Sequence, residues 1–106
     1  TIPNNVTPDK VQPLSLVFIE ETLKRTPENS KVVTDFNYLR SLQKLGHRCA
    51  ILDVSESGAE LYADQLKKGP PVTVIMQPDG KLLGWGRTPA DTNAMNTRLR
   101  RYGGLK

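Results

Sequence analysis

Gly69-Pro70-Pro71-Val72-Thr73-Val74-Ile75-Met76-Gln77-Pro78-Asp79-Gly80-Lys81-Leu82-Leu83-Gly84-Trp85-Gly86 is the stretch that decides the fold. It reads as a proline-led strand, a turn and a returning strand. In Gln77-Pro78-Asp79-Gly80, Pro78 presets φ at the second turn position, Asp79 suits the third, and Gly80 accepts positive φ. Such a turn joins adjacent antiparallel strands. Val72, Val74 and Met76 alternate with Thr73 and Ile75, so the incoming strand is apolar on both faces and is expected to be covered on both. Pro70 and Pro71 donate no ladder hydrogen bond, which puts them at the strand's beginning or on an edge.

Outward from that stretch, the 106 residues suffice for one domain burying roughly 60 to 65% of its unfolded surface. With 37% hydrophobic and 25% charged residues, the profile is ordinary for a globular chain. No apolar run approaches the roughly 20 residues of a membrane span, and no signal-peptide pattern stands at the start. The expected setting is the cytoplasm, without membrane association. A beginning at Thr1 rather than Met reads as a domain or processed product of something longer. Cys49 is the only cysteine and His47 the only histidine, so an internal disulfide and the usual zinc sets are not expected. Neither a metal nor a cofactor is anticipated. Asn5-Val6-Thr7 matches a glycosylation acceptor formally, but without a secretory signal it reads as polar tail.

Residues 1–13 carry Pro3, Pro8 and Pro13 among polar residues, which suits an extended arm, with residues 14–106 as the ordered domain. Leu14-Ser15-Leu16-Val17-Phe18-Ile19 is an apolar, β-prone run ending at Glu20-Glu21, and reads as a buried strand. Thr26-Pro27-Glu28 places a capping hydroxyl before a proline, and Phe36, Leu39, Leu42 and Leu45 follow at near-helical spacing. Arg48-Cys49-Ala50-Ile51-Leu52-Asp53-Val54 is a second apolar strand, with Asp53 near its end. Ser57-Gly58-Ala59-Glu60 has capping-box spacing, and Leu61, Tyr62 and Leu66 predict a second helix stopped by Gly69. After the hairpin, Thr88-Pro89 opens a last helix whose apolar face is Ala90, Ala94, Met95, Leu99 and Tyr102. The expected order is βαβαββα, an α/β mixed sheet with helices on both faces.

That order, the Gly69-Pro70-Pro71-Val72 entry and the Pro78-Asp79-Gly80 turn together resemble the thioredoxin-like fold, over Leu14 to Gly104. The resemblance implies three layers, and a proline in the cis state at the start of the strand facing the active-site loop. Pro71 is the matching position, with Pro70 as the alternative. Redox-active members carry Cys-x-x-Cys after the first strand, at a helix start that lowers the thiol pKa. The corresponding segment here, Glu20-Glu21-Thr22-Leu23-Lys24-Arg25-Thr26-Pro27, has no cysteine. Dithiol exchange needs an attacking and a resolving sulfur, so it is not expected of this segment. Cys49, inside a predicted strand, reads as an inert core thiol.

What the segment offers instead is charge and hydroxyl. Glu20, Glu21, Thr22 and Arg25, with Pro70 and Pro71, form the candidate site for a protein or peptide partner, with Lys24 or Arg25 neutralising a glutamate. No nucleophile has a credible base, so no catalytic residues are assigned. The alternative partner is nucleic acid. A net charge of +4 and a pI near 9.4 motivate it, with Arg87, Arg98 and Arg101 as the contacts. Terminal-helix cations also serve simply to offset the helix dipole. Gly84-Trp85-Gly86 lies at a strand end rather than between strand and helix, so it suits close packing or a bulge rather than a phosphate loop. Trp85 is expected to be a partly buried anchor.

Overall fold

Two apolar faces on one strand demand cover on both sides of the sheet. The computed structural model describes residues 11–106 and supplies that cover unequally. The strands are β1 (Ser15–Glu20), β2 (Arg48–Asp53), β3 (Val72–Met76) and β4 (Leu82–Arg87). The helices are α1 (Phe36–Lys44) and α2 (Thr92–Arg101). The sheet order is β2-β1-β3-β4, with β1 parallel to β2 and antiparallel to β3, and β3 antiparallel to β4. Leu16, Phe18 and Ile75 point to one face, where Leu39 and Leu42 of α1 and Met95 and Leu99 of α2 close over them. Val17, Ile19, Val72 and Val74 point to the other, against the half-buried Tyr62 and Leu66. Burying each such side chain contributes on the order of 1.5–3 kcal/mol.

The hairpin forms as its residues dictate. Gly80 takes φ +93°, and its N–H donates to the Gln77 carbonyl at 2.9 Å. Register slips between Ile75 and Met76, so Leu83 is an extra residue on β4 and the strand bulges there. Gly84 lies directly under the Tyr102 ring, where a Cβ would collide with the phenol. Close packing therefore explains that glycine.

Two helical expectations give way to turns. From Thr26 the chain makes turns until Asp35, which caps α1 by accepting the Tyr38 N–H at 3.0 Å. The cap signal at Thr26 is real but is spent locally: Thr26 Oγ1 accepts from the Asn29 N–H, and Asn29 Oδ1 from the Thr26 N–H. Ser30 and Thr34 hydroxyls then donate to the Thr26 and Ser30 carbonyls. These bonds compete with a helical ladder, and the β-branched run Val32-Val33-Thr34 disfavours one. Val32 and Val33 enter the core instead.

The expected second helix is also absent: Ala59–Tyr62 is a single 3₁₀ turn followed by further turns up to Gly69. Glu60 does reach back, accepting the Gly58 N–H at 2.9 Å, but Gly58 sits at φ +102°. A stripe holding adjacent Leu61 and Tyr62 cannot bury both, and Leu61 is left outside. So short a segment gains too few ladder bonds to offset nucleation. Both true helices therefore share one face, and irregular turns form the third layer.

β2, read as a compact buried strand, is an edge strand with Arg48 and Ala50 exposed. The expected arm falls in residues 1–13, of which 1–10, including Asn5-Val6-Thr7, lie outside the described residues. Within it, the Gln12 N–H already donates to the Gly103 carbonyl at 2.8 Å. Beside that contact, His47 is 3% exposed. Its Nδ1 accepts the Leu14 N–H at 3.1 Å, so Nε2 carries the proton and donates to the Gly104 carbonyl at 2.7 Å. The only histidine thus joins the start of β1 to the chain's end.

Candidate functional site

β1 and β2 run parallel, so their carboxyl ends, Glu20 and Asp53, come to lie side by side in register. Ligands of open α/β sheets bind at such ends. Here the chain leaving β1, the Pro70-Pro71 entry to β3 and the end of β4 enclose a cleft of about 190 Å³. Five of the six expected peptide-site residues line it: Glu20, Glu21, Arg25, Pro70 and Pro71. Arg87, expected in the nucleic-acid set, lines it too, as do Lys24 and Asn29.

Glu20 is the last residue of β1 and only 6% exposed. A buried carboxylate needs a partner, and Arg25 supplies a two-pronged one: Nε donates to Oε1 at 3.1 Å and Nη2 donates to Oε2. The hydrogen bond to Glu20 pushes the Arg25 guanidinium pKa above its ordinary value. Glu21 turns outward and pairs with Lys24 at 3.4 Å, an exposed contact of small energetic weight.

Thr22 sits outside the cleft. Its N–H donates to Asp53 Oδ1 at 2.7 Å, while Asp53 Oδ2 accepts the Ser55 N–H at 3.0 Å and the Ser55 hydroxyl. The Ser55 hydroxyl first, then the Thr22 amide, hold the Asp53 carboxyl well below the ordinary carboxylate range. Asp53 is thus the post that ties the Thr22–Lys24 3₁₀ turn to the sheet. Its residue type was noticeable at a strand end, but its role follows only from the register of β1 on β2. Leu23, at that turn's tip, is 100% exposed.

The bond between Pro70 and Pro71 is cis, and Gly69 before it takes φ +90°. The Pro71 carbonyl accepts the Thr88 N–H at 3.1 Å. Neither proline owns an N–H, so this rim can only accept hydrogen bonds from an approaching chain.

The three nucleic-acid candidates do not act as one patch. Arg98 is partly buried against Gly86 and donates to the Arg87 carbonyl at 2.6 Å. Burial first, then Arg101, lowers its pKa. Arg101 stands exposed on α2, whereas Arg87, also exposed, is one of the residues that line the cleft. Trp85 is 45% exposed on edge strand β4, more open than the anchor the sequence suggested.

Cys49 lies four residues before the cleft end of its strand, about 13 Å away along β2. It is half-buried, and that burial pushes its thiol up to about 11. It therefore carries little thiolate near neutrality. Among the described residues, no three His, Cys, Asp or Glu side chains gather as a metal site.

Similar architecture is found in solved redox proteins. Over 87% of this chain and 81% of the other, at 21% identity and a TM-score of 0.59, it matches a chain from a structure of the thiol-resolving mechanism of yeast mitochondrial 1-Cys peroxiredoxin via glutathione/thioredoxin systems. Oxidized mitochondrial thioredoxin 3 from Saccharomyces cerevisiae matches over the same shares, at 19% identity and a TM-score of 0.58. The fold is thioredoxin-like. No family model matches the chain, and no curated protein does. At these identities the likeness concerns the fold alone, and function is argued from the cleft. In this thioredoxin-like chain the end of β1 and the turn beyond it, where redox-active members carry their cysteine pair, hold the partly buried Glu20–Arg25 ion pair and an exposed leucine. No helix among the described residues is long and apolar enough to cross a membrane.

Proposed function

We propose that the chain acts as a thioredoxin-like interaction domain without dithiol chemistry, holding an extended segment of a partner protein in the cleft between Glu20–Arg25 and Pro70–Pro71. The observation that carries this reading is the convergence of those residues on one cleft at the carboxyl ends of β1 and β2. Glu20 and Arg25 neutralise one another, so the floor of the cleft is polar without being reactive. Around it, Leu23 offers apolar contact and the Pro70 carbonyl a backbone acceptor, the two ingredients of extended-chain recognition. The described chain holds one thiol, high in pKa and remote from the cleft, which favours binding over exchange. A lone unpaired cysteine also suits the cytoplasm.

The test is site-specific photo-crosslinking in lysate. A photoreactive residue at Leu23 should trap a protein, in a nuclease-resistant product, that the same residue at Leu61, exposed and not part of the cleft lining, does not trap. Equal trapping at both positions, or none at Leu23, overturns the assignment. Products lost to nuclease would move the case to the alternative, nucleic acid bound through Arg87 and Arg101. Arg98 supports that alternative least, since its guanidinium is engaged with β4.

A further inference from the structure

The charges of the cleft do not cancel. It is lined by Glu20 and Glu21 and by Lys24, Arg25 and Arg87. Both carboxylates are matched within it, Glu20 by Arg25 and Glu21 by Lys24. Arg87 has no carboxylate partner among the described residues, and its side chain makes no hydrogen bond there. Its own backbone carbonyl is taken by Arg98, which fixes the end of β4 while the Arg87 side chain remains available. Resting on the reading just given, we propose that the partner segment is acidic: an extended peptide whose aspartate or glutamate carboxylate pairs with Arg87 while a backbone N–H of that peptide donates to the Pro70 carbonyl.

Hydrogen-bond supply supports the same partner. Pro70 and Pro71 bring no donor to the rim, and the Pro70 carbonyl accepts none among the described residues. The Asn29 amide is partly committed, its Oδ1 accepting the Thr26 N–H and one Nδ2 hydrogen donating to the Lys24 carbonyl, which leaves it one neutral N–H. Arg87 is thus the cleft's uncommitted strong donor, and a guanidinium matches a carboxylate with two parallel hydrogen bonds. The carboxylates of Glu20 and Glu21 in the same small space disfavour a run of phosphates, which carries a charge at every unit. A peptide can present one carboxylate and leave its neighbours neutral.

The experiment titrates fluorescein-labelled heptapeptides, one with a central Asp and one with Asn in its place, into the ¹⁵N-labelled protein and into Arg87→Gln and Arg101→Gln. Arg101→Gln removes the same charge from an exposed position outside the cleft. The Asp peptide should bind wild type roughly three- to tenfold more tightly than the Asn peptide, as one partly desolvated ion pair allows. That preference should vanish in Arg87→Gln, survive in Arg101→Gln and shrink with salt. Equal binding of both peptides, with shifts at cleft amides, overturns the acidic preference but leaves the cleft as a peptide site. Binding of neither peptide at millimolar concentration overturns the proposal, while crosslinking at Leu23 decides the parent reading independently. A thymidine oligonucleotide that binds more tightly than the Asp peptide, and loses affinity equally in the two arginine variants, replaces the peptide with nucleic acid.

Discussion

Cys49 and Asp53 lie on the same strand, β2, and its two ends drive them in opposite directions. Near the start, apolar burial raises the Cys49 thiol to about 11. At the far end, hydrogen-bond donors hold the exposed Asp53 carboxyl well below its usual range. The same division runs across the whole sheet. At the Cys49 end the buried ionisable group is His47, neutral and satisfied by two backbone partners. At the Asp53 end it is Glu20, charged and held by an arginine that is itself one-third open to water. A closed, neutral contact serves stability; a charged one at a solvent-facing rim leaves a surface that a partner can read.

The largest effect expected from breaking that contrast is at the closed end. His47→Ala strands the Leu14 N–H and the Gly104 carbonyl, each costing about 1–3 kcal/mol when left unpaired. Urea denaturation should show a loss of about 3 kcal/mol, a large share of the total for a chain this size. A loss below about 1 kcal/mol would mean that the seam does not depend on the imidazole. Arg25→Gln, at the open end, should cost less, about 2 kcal/mol, because water can partly solvate the Glu20 carboxylate it abandons. Glu20→Gln/Arg25→Gln should recover most of that loss, since no charge is then left buried. If the double variant is instead as unstable as the two single losses added together, the pair is not coupled and the open end owes its order to something else.

The closed parts of the fold were the more legible. Pro78-Asp79-Gly80 dictates its turn by backbone preference alone, and the doubly apolar Val72–Met76 run announces a strand covered on both sides. The caps at Thr26 and Ser57 misled for a shared reason: the side-chain acceptors are real, but a cap is silent about whether the residues after it can pay the cost of helix nucleation. Val32-Val33-Thr34 and the Leu61-Tyr62 pair show that these cannot. At the site, Glu20, Glu21, Arg25, Pro70 and Pro71 were legible as charges and prolines at element ends. Arg87 was grouped with the terminal-helix cations because sequence distance hides that β4 returns it to Val72. Asp53 escaped a role because only the parallel register sets it beside Glu20.

Two smaller effects sharpen the comparison along β2. Burial raises the pKa of the Cys49 thiol to about 11 and of the Tyr38 hydroxyl to about 12. Both folded values exceed the unfolded ones, so this contribution is intact below about pH 8.5 and is lost as pH climbs through 11 and 12. Cys49→Ala should flatten the thiol's part of that alkaline decline, worth about 1 kcal/mol after allowing for a half-exposed group. Alkylation of folded Cys49 near pH 8 should run roughly 100-fold slower than in urea, through scarcity of thiolate. Fast labelling would erase the contrast between the strand's ends.

Asp53→Asn should have the mildest consequence for global stability, because its carboxylate faces water. The charge-assisted acceptor for the Thr22 N–H and for Ser55 is weakened, while the carbonyl of the new amide can still accept one bond. Hydrogen exchange should therefore quicken at the Thr22 and Ser55 amides and stay unchanged at Leu14, the partner of His47. Acidification should produce the same local loosening in the wild type. The depressed carboxyl contributes above its ordinary titration range, and that contribution drains away as pH falls toward the folded value. If exchange instead quickens along the whole of β1, Asp53 belongs to the cooperative core, and the Thr22–Lys24 turn is not a separately adjustable wall of the cleft.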